Sequence, residues 1–145
     1  MELYTIGFAK KSAREFFESL KKAGVKRMID IRLLNTSHLA GFAKKEDLEY
    51  FLSAICKASY LHLLDLAPTQ ELLDGVRKTK LPFAEYEAAF QALLQKRRAI
   101  EKLDPKLFAI PCCLLCSENS PVHCHRRLVA EAIRKRLPQI EVVHL

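Results

Sequence analysis

The sequence has no stretch approaching the ~20 apolar residues of a membrane-spanning helix, and no basic segment followed by an apolar run and a small-residue cleavage site at its N-terminus. No membrane partner is expected, and a cytoplasmic location is. Internal repeats and low-complexity linkers are also lacking, so residues 1–145 are expected to form a single domain. The five cysteines are odd in number and unevenly spaced, which argues against a secreted disulfide framework and predicts reduced thiols. Aromatic residues make up only 8% of the chain, and Tyr50, Tyr60 and Tyr86 sit in amphipathic or apolar patterns. This disfavours a platform that stacks single-stranded bases.

What is present is enough apolar residue, 50%, for one shared core, and a formal net charge of +7. That charge favours nucleic acid or small phosphorylated and other anionic ligands without choosing among them. The basic pairs, such as Lys10-Lys11, Lys44-Lys45 and Arg126-Arg127, are scattered, as on ordinary solvated helix faces.

Strand and helix signals alternate along the chain. Residues 2–8 read as a strand ending near Gly7; Ser12 and Glu15 have capping-box spacing, and Gly24 stands where a helix C-cap is wanted. Residues 25–32 read as a second strand, 33–43 as a loop, and 44–58 as a helix with Leu48, Phe51, Leu52 and Ile55 on one face. A third strand is expected at 59–64, a short helix from a Thr69 cap through Arg77, and a basic helix at 83–103. Residues 106–116 are a continuous apolar run in which Pro111 predicts a bulge or an edge position. Ser120 and Pro121 predict the start of a last helix through Leu137, and 140–145 a fifth strand. The fold class is therefore α/β, a single layered domain with a mainly parallel five-stranded sheet flanked by helices.

In such sheets ligands bind beyond the carboxyl ends of the strands, which makes Gly7, Asp30, Arg32, Asp65, Cys116 and Glu118 rim candidates. Cys124 and His125 lie four residues before Leu128 and Val129 on the inward stripe of the last helix, so they face the rim too. A thiol at a helix N-terminus has its thiolate stabilised, which predicts a lowered pKa for Cys124, and the same amides form an anion site. Glu118 is either a base or a partner of that helix dipole. The plainer reading is that Cys56, Cys112 and Cys113 are small core residues, and packing also accounts for Cys116.

Two motif matches fail. Cys113 and Cys116 have Cys-x-x-Cys spacing, but side chains three apart on a strand point to opposite faces. The His-Cys-x5-Arg loop of cysteine phosphatases would need arginine at Ala130, or at Val122 if counted from Cys116. Zinc held by Cys116, His123, Cys124 and His125 fits by ligand type, yet adjacent Cys124 and His125 are awkward neighbours for one tetrahedral ion. No metal and no cofactor are expected.

The segment "CSENSPVHCHRRLVAE" (116–131) resembles the Cys-x-Glu-x-x-Pro-x-x-Cys-His-Arg signature of the domain-of-unknown-function 488 family. "YTIGF" resembles that family's first strand, "IDIRLLNTSHLAGFAKKEDLEYFL" (29–52) its Asp-x-Arg strand end and following loop, and "HLLDLAPTQELLD" (62–74) continues the match. The resemblance implies one α/β domain with a parallel sheet, and picks out Asp30, Arg32, Cys116, Glu118, Pro121, Cys124, His125 and Arg126. Phe8 and Ala9 stand where many members have a histidine and a polar residue, and Asn35, Thr36 and His38 where the commoner branch has proline and arginines.

Two functions follow as expectations. The first is an enzyme acting on a phosphorylated or other anionic substrate, with Cys124 as thiolate, His125 as its partner, Asp30 and Glu118 orienting groups or moving protons, and Arg32, Arg126, Gly7, Asn35, Thr36 and Cys116 lining the substrate site. The second is a non-catalytic nucleotide- or nucleic-acid-binding module, motivated by Lys96, Arg97, Arg98 and Lys102.

Overall fold

Alternation along β1 (Glu2–Gly7) sends Leu3 to one face of a sheet and Tyr4 and Ile6 to the other, and all three are buried. The computed structural model describes residues 1–36 and 41–145, and the His38 position falls outside them. Helix α1 (Ala13–Ala23) starts where Ser12 Oγ accepts the Glu15 N–H at 3.1 Å and stops at Gly24, whose φ of 72° suits a residue without a side chain. Strand β2 (Arg27–Asp30) follows, then α2 (Lys45–Phe51) and β3 (Ser59–His62). Helices α3 (Gln70–Lys78) and α4 (Phe83–Arg97) precede β4 (Cys112–Cys116), and α5 (His125–Arg136) leads into β5 (Glu141–His144).

All five strands are parallel, in the order β3-β2-β4-β1-β5, so the expected α/β class is the observed one. Two cores cover the sheet. On one face Phe16, Phe17 and Leu20 of α1 and Leu48 of α2 pack on Tyr4, Ile6, Met28, Cys113 and Leu115. On the other, Tyr86, Phe90 and Leu94 of α4 and Leu128, Val129 and Ile133 of α5 pack on Leu3, Ile29, Cys112 and Leu114. Each fully buried Leu or Phe contributes ~1.5–3 kcal/mol, so both layers hold the sheet's strand ends in place.

Four elements differ from their sequence signals. Helix α2 runs on through a π turn at Leu52–Cys56, whose extra residue brings Cys56 inward and leaves Ile55 exposed. Helix α4 ends at Arg97 because Arg98 adopts the left-handed conformation, with φ of 53°. Pro111 marks neither an edge nor a bulge: β4 is the central strand and begins one residue later, leaving the Pro111 carbonyl to accept from Lys26 and Arg27. Helix α5 begins at His125, with Cys124 rather than Ser120 as its N-cap.

Candidate functional site

Cys116 ends β4 beside Gly7 of β1, and its side chain points to the α5 face, opposite to that of Cys113. Cys124 meets it from the start of α5, with 2.9 Å between the two sulfurs. Cys124 Sγ also accepts the Arg126 N–H at 3.5 Å, the contact that makes it the helix cap. Glycine is required at position 7 because a Cβ there would overlap the Glu118 carbonyl and the Arg126 guanidinium. Gly7 therefore admits the 116–119 turn to the sheet.

Arg126 organises this turn. It is wholly buried, 0% exposed, and its guanidinium donates to Cys116 Sγ at 3.2 Å, Thr5 Oγ1 at 3.2 Å, the Asn119 carbonyl at 3.2 Å and the Glu118 carbonyl. Thr5 in turn shares a 2.6 Å hydrogen bond with His144 Nδ1. Arg126 thus does not reach solvent, which corrects its expected role as a contact for substrate. Among the described residues it forms no salt bridge with a carboxylate.

A guanidinium cannot shed its proton at ordinary pH, and an uncompensated buried charge costs several kcal/mol, so ionisation of the nearest ionisable group is favoured. That group is Cys116. Burial opposes its ionisation, but the Cys124 thiol as hydrogen-bond donor and the adjacent Arg126 charge outweigh burial and hold its pKa below the usual thiol value. The Cys124 thiol is pushed up, first by donating to Cys116, then by burial and by the charge of its neighbour. The expected low-pKa thiol at Cys124 is corrected accordingly: of the two, Cys116 is the more readily ionised. Burial raises Cys56, Cys112 and Cys113 above the ordinary value.

His125 Nε2 lies 2.9 Å from the Ile31 carbonyl and therefore carries the proton of the neutral ring. Its Nδ1 is left as an acceptor, 4.0 Å from Cys124 Sγ. Burial, reinforced by the Arg126 charge, lowers the His125 pKa to about 4, against the opposing effects of the Ile31 carbonyl and Asp30. In front of Cys124 and His125 opens a cleft of about 360 Å³, walled by Leu73, Val76 and Arg77 of α3, Phe83 and Tyr86 of α4, and Glu118. Burial raises the Tyr86 pKa, so the phenol stays protonated.

Asp30 and Arg32 do not join this group. Residues two apart on a strand share a face, and theirs is the α1/α2 face: Arg32 donates to Asp30 through Nε at 2.9 Å and Nη2 at 2.8 Å. Tyr60 donates to Asp30 at 2.5 Å, Arg32 Nη2 to the Ala43 carbonyl at 2.8 Å, and Arg32 lies over the Phe8 ring. Asn35 belongs here as well, its amide 3.1 Å from the Tyr60 hydroxyl, whereas Thr36 is exposed. The proposed proton-transfer role of Asp30 and anion-holding role of Arg32 thus fall on side chains already bonded to each other.

The remaining candidates lie apart. Asp65 is exposed in a turn whose carbonyls, with that of Ala67, accept from Arg97. That bond and the end of α4 divide the basic run 96–102, which does not form one helical face. Among the described residues no three His, Cys, Asp or Glu side chains are placed to hold a metal ion, and no helix is long and apolar enough to cross a membrane. Thr5, Arg77 and Tyr86 are the site residues that pattern reasoning missed. Only Thr5 carried a signal, as the single polar side chain inside the apolar run of β1.

Fold and site together define a parallel α/β domain with a buried dithiol where the central strand meets the last helix. The chain belongs to the family described as domain of unknown function DUF488, whose model matches residues 12–133 and so leaves β1 outside the match. No curated protein and no solved structure matches it.

Proposed function

We propose that this protein is a cysteine-dependent hydrolase or transferase in which Cys124 attacks a small anionic substrate seated in the cleft. The observation that supports this is the buried Arg126, whose guanidinium bonds the Cys116 sulfur with no carboxylate paired to it among the described residues, a setting that favours a thiolate. Cys116 is sealed behind Cys124, so the substrate meets Cys124, which is 2% exposed and lines the cleft. As Cys124 Sγ bonds to the electrophilic group, its proton passes to the Cys116 thiolate and the leaving group departs with the bonding pair. Water, or another acceptor, then loses a proton to His125 Nδ1 and cleaves the new bond. Cys124 leaves as a thiolate, recovers its proton from Cys116, and the imidazolium returns its proton to the leaving group or solvent. The apolar wall suits the body of the substrate, and Arg77 its charge.

The test is the alkylation rate of each cysteine against pH, followed by mass spectrometry on the folded protein. Because Cys116 takes the Cys124 proton as Cys124 reacts, alkylation of Cys124 by iodoacetamide should follow the ionisation of the pair, with an apparent pKa below the unperturbed ~8.5, while Cys56, Cys112 and Cys113 stay protected. Anionic iodoacetate should gain on neutral iodoacetamide at Cys124, and Arg77→Ala should remove that gain. A Cys124 that stays inert until the protein unfolds makes the dithiol a packing feature and ends the proposal.

A further inference from the structure

The arrangement of the two sulfurs permits a second reaction that neither hydrolysis nor group transfer requires. For proton exchange alone the His125 imidazole, 4.0 Å from Cys124 Sγ, would serve. Yet its nearer neighbour is a second sulfur 2.9 Å away, 0% exposed, unable to touch any ligand in the cleft and in contact with Cys124 and Arg126. Such a sulfur is placed to resolve an oxidised neighbour. A disulfide needs ~2.05 Å between sulfurs, a closure of under 1 Å from the observed separation.

We infer that Cys116 and Cys124 form a reversible intramolecular disulfide, with Cys124 as the sulfur oxidised by a hydroperoxide and Cys116 as the sulfur that resolves it. The inference rests on the reading above that the pair ionises. The shared proton moves to Cys116, and the Cys124 thiolate takes the terminal peroxide oxygen. The O–O bond breaks, and the departing alkoxide collects the proton from Cys116 to leave as alcohol, or as water when the oxidant is hydrogen peroxide. Cys116, again a thiolate, attacks the Cys124 sulfenic acid; the S–S bond forms and hydroxide leaves, to be protonated by solvent. The peroxide gains the two electrons that the dithiol loses, and a low-molecular-weight thiol returns them by exchange.

Arg126 gives the couple its direction. In the reduced protein its charge is balanced by the Cys116 thiolate, and in the disulfide that balance disappears while the guanidinium stays buried. The reduced form is therefore favoured, so the disulfide is an oxidising one, quickly reversed. A disulfide ordinarily stabilises its protein by restricting the unfolded chain. Here the oxidised protein should instead melt below the reduced one.

The experiment exposes the folded protein to hydrogen peroxide, traps free thiols with iodoacetamide and maps peptides by mass. One cross-link, Cys116 to Cys124, is expected, reversed by dithiothreitol, with the other three cysteines free. Cys116→Ser should form no cross-link and should accumulate Cys124 sulfenic acid, captured by dimedone. Cys124→Ser should leave Cys116 unmodified. If Cys124 alkylates with a lowered pKa but peroxide yields no cross-link, or stable sulfenic acid despite Cys116, the redox inference falls and the hydrolase or transferase reading stands. If Cys124 is inert to both reagents, both fall. A higher melting temperature for the oxidised form would overturn the role given to Arg126.

Discussion

Two arginines are buried at the same rim of the sheet, on opposite faces, and they are neutralised in different ways. Arg32, 5% exposed, faces α1 and α2 and is clamped by both oxygens of Asp30. Arg126, 0% exposed, faces α5 and meets a sulfur, a hydroxyl and two carbonyls. A carboxylate is ionised at every pH near neutral, so the first site is complete and chemically quiet. A thiol ionises only if its surroundings make it do so, and an arginine with no carboxylate is such a surrounding. A buried ion pair at a strand end serves structure, whereas a buried cation whose anion must be generated favours a reactive thiol.

Removing the anion from the quiet site should have the largest effect. Asp30→Ala leaves the Arg32 guanidinium buried, unable to lose its proton, and should cost ~3–5 kcal/mol in urea denaturation. The alkylation profile of Cys124 should move little, since the sheet separates the two networks and Asp30 acts across it only on His125, through space. A parallel shift of that profile would mean the faces are coupled and would break the comparison.

His125 joins the two sides, bonded to the Ile31 carbonyl after β2 while facing Cys124 from α5. Its pKa falls from 6.5 to about 4 on folding, chiefly by burial, so between those values the unfolded chain binds the extra proton and the folded chain does not. Its contribution to stability is therefore complete above the unfolded pKa, declines as pH falls through this window, and is level below the folded value. At roughly 1.4 kcal/mol per pKa unit the total is of order 3 kcal/mol. His125→Asn should flatten that decline in urea midpoints measured across the window. The difference between the two proteins separates it from His144, whose pKa burial also lowers.

Much of the fold is legible in the sequence because its signals are local. The Ser12 cap and the Gly24 stop act within one helical turn, and the divergence of Cys113 from Cys116 follows from the pleat alone. The same pleat places Asp30 and Arg32 on one face, so their mutual pairing is as legible as the ligand roles assigned to them. The start of α5 is not local. Ser120 and Pro121 carry the usual signals, but Arg126 draws the Glu118 and Asn119 carbonyls inward and the chain cannot turn into a helix until Cys124. The contact between Cys116 and Cys124, with Arg126 behind it, is equally long-range, and it lowers Cys116 and raises Cys124, the reverse of what the helix end alone implies.

The smallest expected change in stability is the most informative about the site. Arg126→Met removes the bonds to Thr5, Glu118 and Asn119, yet strands no charge, because the Cys116 thiolate simply takes a proton. The cost should be ~2 kcal/mol, below that of Asp30→Ala, as two carbonyls lose a partner in a volume that methionine largely refills. With the guanidinium gone, only the Cys124 hydrogen bond and the Glu118 backbone are left to oppose burial, and the apparent pKa for alkylation of Cys124 should rise above ~8.5. Arg126→Lys, a point charge without the planar fork, should restore part of the lowered pKa and little of the stability. If Arg126→Met instead cost as much as Asp30→Ala and left the alkylation profile in place, Arg126 would have another counter-ion and the thiolate another cause.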